Sequence, residues 1–234
     1  MSGLERIHQV AVRLFAERGY AATGIREIGR AAGLNSATLY HYAGGKEDLL
    51  TGIMRAGLQE LLRVGREAVE HSADPAVQLA RLVLGHVATE ALNPLTSRVI
   101  DREVQALTGD NRAEIMALRD DYESLFQRVL ERGVRTGEFQ VTDVQITRLA
   151  LLEMCNGVAI WYRGDGRLSV ADLQDRFVEF GCRLVASRPV PHEERGPEIH
   201  VERLASEPPQ HNAPGTAPQP ANPAGAADRR EFTR

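Results

Sequence analysis

The stretch Thr23-Gly-Ile-Arg-Glu-Ile-Gly-Arg-Ala-Ala-Gly-Leu-Asn-Ser-Ala-Thr-Leu-Tyr-His-Tyr-Ala-Gly-Gly-Lys46 decides how this chain reads. Gly33 separates two short segments, Gly24 to Ala32 and Ser36 to Tyr42, and Gly44-Gly45 breaks the chain again before Lys46. Ile25 and Ile28 point inward on the first segment, Thr23 is placed to cap it, and a glycine permits the tight turn that follows. The pattern is helix, turn, helix. An ordinary helical hairpin shares it, but a helix-turn-helix also needs short donors and cations on its second helix, where base edges and phosphates are met. Ser36 and Thr38 are such donors, Tyr40 and His41 can reach phosphates or a thymine methyl, and Lys46 opens the next helix with a phosphate-seeking charge. Residues 28–46 hold no Asp or Glu, so this window is locally positive in a chain of formal charge −4.

Outward from this stretch the periodicity is helical nearly throughout. Upstream, Leu4 to Arg18 sets Ile7, Val10, Ala11, Leu14 and Phe15 on one face, with Gly19 as the stop. Downstream, Lys46 to about His71 predicts a long connecting helix. Asp74-Pro75 and Asn93-Pro94 both read as an N-cap followed by Pro at the first helical position. Asn111 to Thr136 is closed by Gly137, Thr142 with Gln145 predicts a capping box for a helix reaching about Tyr162, and Ser169 with Asp172 predicts another for Val170 to Ala186. On that last helix Leu173, Phe177, Phe180 and Leu184 form one apolar stripe, and Leu149 to Ile160 is apolar over much of its length. Two adjacent helices then carry more apolar surface than a monomer core needs, which points to a subunit interface. Nine of the eleven prolines lie in 189–234, among few large apolar residues, so that segment is expected to be a disordered tail.

The fold expected is all-α: a three-helix DNA-binding domain over 1–62, a larger helical ligand-binding and dimerisation domain over 63–188, about nine helices in all, and the tail over 189–234. Composition excludes much else. At 43% hydrophobic and 26% charged, the chain is neither fibrous nor wholly disordered. No apolar run reaches a membrane span, and the start of the chain lacks a signal-peptide hydrophobic stretch, so a cytoplasmic protein without membrane contact is expected. Cys155 and Cys182 are too few for a disulfide framework. The seven histidines form no metal-ligand spacing, and nucleophile motifs and phosphate-binding glycine loops are absent, so neither an enzyme nor a metal or other cofactor is expected. A redox sensor would need a basic cluster beside a thiol, and only Arg183 adjoins Cys182.

Residues 4–62 resemble the DNA-binding domain of the TetR family of bacterial repressors. The resemblance is carried by Phe15, Gly19-Tyr20, Thr23, Glu27-Ile28, Ala32-Gly33-Leu34, Thr38-Leu39-Tyr40 and Lys46-Glu47-Asp48-Leu49. Ala37, Tyr42 and Ala43 depart from the usual Gly, His and Phe. It implies a homodimer on a palindromic double-stranded DNA operator. It also implies DNA contacts from Arg26, Asn35, Ser36, Ala37, Thr38, Tyr40, His41 and Tyr42, with Lys46 as backbone anchor and Ile28 and Leu39 as packing residues.

In the larger half, Arg98, Asp101, Arg102, Arg119 and Asn156 are candidates for a polar lining among apolar helices, though exposed ion pairs, or a structural hydrogen bond at Asn156, would use the same residues. The segment from Met154 to Ser169, through Asn156, Trp161-Tyr162 and Gly166, resembles TetR regulators that answer to acyl-CoA thioesters, with Gly157 and Ile160 where many relatives carry Trp and Arg. That resemblance implies release by a small hydrophobic effector of the acyl-CoA class, with Arg102, Arg119, Asn156, Trp161 and Arg163 as ligand-binding residues. A TetR-type regulator with a non-CoA ligand is the alternative.

Overall fold

The computed structural model describes residues 2–35, 38, 41, 42 and 44–207, and every regular element among them is helical. Helix α1 (Gly3–Arg18) opens with a capping box from Ser2 and Glu5 and closes at Gly19, where a φ of 86° lets its N–H return to Phe15 O. Its predicted inner face is buried in full. Helix α2 (Ile25–Ala31) follows, but Thr23 does not cap it: the hydroxyl is buried and donates back to Gly19 O at 2.9 Å, tying the loop to the end of α1. The second motif helix falls largely outside the described residues. Thr38, His41 and Tyr42 are helical.

Helix α3 (Lys46–Glu70) belongs to both halves, packing on α1 at one end and on the larger bundle along the rest. It runs unbroken through residue 62. Helix α4 (Pro75–Leu92) begins as predicted, with Asp74 accepting from Ala76 N and Val77 N, and is buried almost end to end between α3 and the helix that closes the bundle. Helix α5 (Pro94–Glu103) and a 3-10 turn (Val104–Ala106) lead to α6 (Gly109–Thr136), which packs along α3. The predicted helix to Tyr162 is two pieces, α7 (Val144–Asn156) and α8 (Val158–Trp161), broken at Gly157. Asp143, and not Thr142, caps α7. Helix α9 (Val170–Leu184) opens with the predicted Ser169–Asp172 box.

The largest departure concerns residues 189–207, expected to be disordered. They form a strap laid across α3, α4 and α5, with Val190, Ile199 and Val201 buried. Buried Arg81 holds the strap by donating to Arg195 O and Pro197 O, and Asn93 pairs both ends of its amide with Glu202 O and Leu204 N. Asn93 is therefore not the side-chain cap of α5. That role passes to Glu207, whose carboxylate accepts from Thr96 N at 2.6 Å, placing a negative charge at the positive end of the helix. Residues 208–234 lie outside the described residues.

Candidate nucleic-acid interface and effector pocket

Arg26 and Arg30 stand exposed on α2, and Asn35, His41 and Tyr42 are exposed beyond the turn. Asn35 Oδ1 accepts from Thr38 N at 2.9 Å, so this side chain starts the second motif helix. His41 and Tyr42 meet edge to face at 5.4 Å between ring centroids. Lys46 is engaged within the protein: its ammonium lies 3.9 Å from the centre of the Tyr20 ring. Partial burial lowers its pKa while nearby Glu103 opposes that shift. Ser36, Ala37, Leu39, Tyr40 and Ala43 lie outside the described residues.

One helix joins this unit to a cavity in the larger half. At its C-terminal end α5 packs on α1, with Glu103 beside Gly19. Along its length α5 contributes Ser97, Ile100 and Asp101 to a cavity of about 120 Å3, whose other walls come from α3, α4, α6 and α7. Helices α3 and α5 approach closely at Gly57, where a Cβ would fall 2.6 Å from Ile100 Cδ1 and 2.8 Å from Thr96 Cγ2. A side chain there would force Ile100 and Thr96 on α5 to shift.

Inside the cavity the polar groups are linked. His86 is 1% exposed; its Nε2 lies 2.9 Å from Asn156 Oδ1 and its Nδ1 lies 3.1 Å from the Tyr122 hydroxyl. Asn156 Oδ1 can only accept, so His86 Nε2–H donates to it, and the Nδ1–Tyr122 hydroxyl contact continues the chain on the other side of the ring. Glu90, 2% exposed, lies one turn further along α4, its Oε1 3.6 Å from His86 Nε2. Asp101 is reached by solvent yet crowded by protein, and that loss of hydration, reinforced by Glu90, pushes its pKa up to about 7 against the opposing pull of Arg119.

Of the five ligand residues implied by resemblance, Arg119 and Asn156 line this cavity and Arg102, Trp161 and Arg163 do not. Arg102 and Arg163 are exposed, and together with half-buried Arg98 they form a group of like charges: Arg163 and Arg102 both lower the pKa of Arg98, after burial. None of the three has a carboxylate within 4 Å among the described residues. Trp161 stacks on Phe177 at 6.3 Å and is half open to solvent. Sequence reasoning passed over His86 and Glu90. A histidine and a glutamate four residues apart on a helix buried almost end to end were the available signal.

The outer side of α7, α8 and α9 is apolar and open. Ile146 is 62% exposed, Ile160, Trp161, Phe180 and Leu184 are each about half exposed, and Leu149, equally exposed, lines the cavity. The predicted stripe on α9 thus divides, with Leu173 and Phe177 facing the core and Phe180 and Leu184 facing outward. Burial pushes the Cys155 and Cys182 thiols up, the opposite of what a reactive thiolate needs.

The model of the tetR family of bacterial regulatory proteins matches residues 7–53, and that of the tetracyclin repressor-like C-terminal domain matches residues 72–185. The repressor KstR2 of Rhodococcus jostii is 32% identical over 182 residues, spanning 76% of this chain and 88% of that protein. The chain belongs to the TetR family of bacterial transcriptional regulators. It is a regulator and not an enzyme. Two similar solved structures are PfmR of Thermus thermophilus (TM-score 0.69, 31% identity, 78% of this chain and 98% of that one) and AibR in complex with isovaleryl coenzyme A and operator DNA (TM-score 0.70, 26% identity, 80% and 100%). The strap lies past the residues that either family model matches. No helix among the described residues is long and apolar enough to cross a membrane.

Proposed function

We propose that the protein is a homodimeric repressor that holds a palindromic operator and releases it when a small hydrophobic effector of the acyl-CoA thioester class enters the larger domain. The observation that carries this reading is the placement of α5: it lines the cavity with Ser97, Ile100 and Asp101 and packs on α1 of the DNA-binding unit. An effector that displaces α5 shifts α1, and with it the separation of the two recognition helices that must span successive major grooves. Contacts to DNA come from Arg26, Asn35, Ser36, Ala37, Thr38, Tyr40, His41 and Tyr42, and Lys46 reaches a phosphate by leaving the Tyr20 ring. The open apolar side of α7 to α9 is the dimer face.

The thioester class is supported by the AibR complex and by the arginine group Arg98, Arg102 and Arg163, which suits the phosphates of a coenzyme A head better than any apolar ligand. Operator binding to the protein's own upstream DNA, titrated with acyl-CoA thioesters against free CoA and free acids, tests it. Release by a thioester alone is the expected result. Failure to bind that DNA at moderate salt overturns the repressor reading, whereas binding that no thioester disturbs overturns the ligand class and leaves the non-CoA alternative.

A further inference from the structure

We infer that the cavity selects effectors whose buried end donates a hydrogen bond, with the Glu90 carboxylate as acceptor, so that a terminal hydroxyl separates the cognate effector from a plain acyl chain. This rests on the effector reading above and narrows it.

The first ground is an orphaned acceptor. Glu90 is 2% exposed, and its Oε2 has no hydrogen-bond partner among the described residues. The His86 ring, one turn away on the same helix, is committed elsewhere, with Nε2 on Asn156 and Nδ1 on the Tyr122 hydroxyl. Buried carboxylate oxygens without donors are rare because desolvation goes uncompensated. No protein donor bonds to this oxygen among the described residues, so the bond falls to whatever enters the cavity.

The second ground is charge. Glu90, Asp101 and Glu153 line the cavity against one guanidinium, Arg119, which already donates to Ile100 O; a fourth carboxylate, Glu123, is paired with Arg148 at 3.3 Å. Such a lining repels a phosphate, and a bare hydrocarbon would strip water from these groups and return nothing. A hydroxyl on the effector can donate to the one oxygen that the lining's own donors, Ser97, Arg119 and Asn156, leave unpaired. The third ground is size, since about 120 Å3 is well under the roughly 300–1,000 Å3 of sites that enclose a whole drug-sized ligand. The cavity reads the end of the effector, and the phosphates of a thioester stay outside it.

Two matched pairs of probes test this on the full chain: 5-hydroxyvaleryl-CoA against valeryl-CoA by calorimetry, and 1-pentanol against its donor-free isomer butyl methyl ether by ligand-detected NMR. We expect the hydroxyl-bearing member of a pair to bind about tenfold or more tightly. In Glu90→Gln, which keeps the side-chain shape, the ratio should fall below about threefold, while Glu179→Gln, at an exposed carboxylate of α9 outside the cavity, should retain it. Preference within the alcohol pair but no binding of either thioester would support the donor rule and remove the thioester class. Preference in neither pair, or preference unchanged in Glu90→Gln, would overturn the inference even if thioesters still release DNA.

Discussion

Helices α7 to α9 have two sides with opposite faults. On the outer side large apolar groups meet solvent at Ile146, Trp161, Phe180 and Leu184, while on the inner side, where α7 faces α4, Asn156 meets His86 and Glu90 of α4 at positions where a helical bundle would ordinarily place hydrocarbon. Each arrangement costs stability in the isolated subunit, and each is relieved only by something brought to it. The difference teaches what arrives. On the proposed reading an oily face of this extent meets the matching face of a second copy, and a pocket with an unanswered acceptor meets a polar group on a small ligand. The largest expected effect follows from breaking the outer side. Phe180→Glu should cost about 2–4 kcal/mol of subunit association, so that sedimentation shows a monomer and operator affinity is lost, with the helical content of the subunit intact.

Breaking the inner side should act on the subunit itself. Asn156→Leu removes the acceptor of the Nε2–H of the buried His86 ring, an expected loss of about 1–3 kcal/mol that urea unfolding would measure. The same variant should leave the dimer intact. If it instead dissociated the dimer, the two sides of α7 would be coupled and the comparison would fail.

These two sides were not equally legible. The apolar surplus of the last two helices could be counted from the sequence, because periodicity fixes which residues share a face. Composition could not show that Phe177 turns inward while Phe180, three residues on, turns out. The recognition segment was readable for the same reason as the surplus, being a local pattern of glycines and apolar positions. His86 and Glu90 were hidden because their meaning depends on Tyr122 and Asn156, which the fold brings from two other helices. The strap was misread outright. Its prolines and polar residues looked unable to bury anything, and the compensation lies elsewhere, in Arg81 and Asn93, two polar side chains in the apolar bundle that supply hydrogen bonds to its backbone. A long-range polar anchor leaves no periodic trace in the segment it holds.

Acidity sharpens the inner half of the comparison. In the unfolded chain Asp101 ionises near its ordinary 3.8, and in the folded one its pKa is raised to about 7. Between those values the folded state holds a proton that the unfolded state has released, so the contribution of this residue to stability is greatest below about pH 4 and is lost as pH rises toward 7. Solvent reaches this carboxylate, which keeps the slope shallow. Asp101→Asn should flatten it. A set of urea midpoints between pH 4.5 and 7.5 that is the same for both proteins would remove Asp101 from the inner network.

The smallest effect is expected from the charges that border the oily face. Arg183 and Glu179 form an i,i+4 pair on α9, flanking Phe180, with side chains 73% and 50% exposed. An exposed helical pair contributes roughly 0.3–0.5 kcal/mol and is weakened further by salt. Arg183→Ala should therefore change neither the unfolding midpoint nor the dimer dissociation constant by more than about threefold in the corresponding equilibrium. That near-silence is informative beside Phe180→Glu, one residue of the same helix away from Glu179. If removing Arg183 loosened the dimer as much as charging Phe180 did, the subunits would be held by their polar rim, and the exposed apolar groups of α7 to α9 would need another occupant.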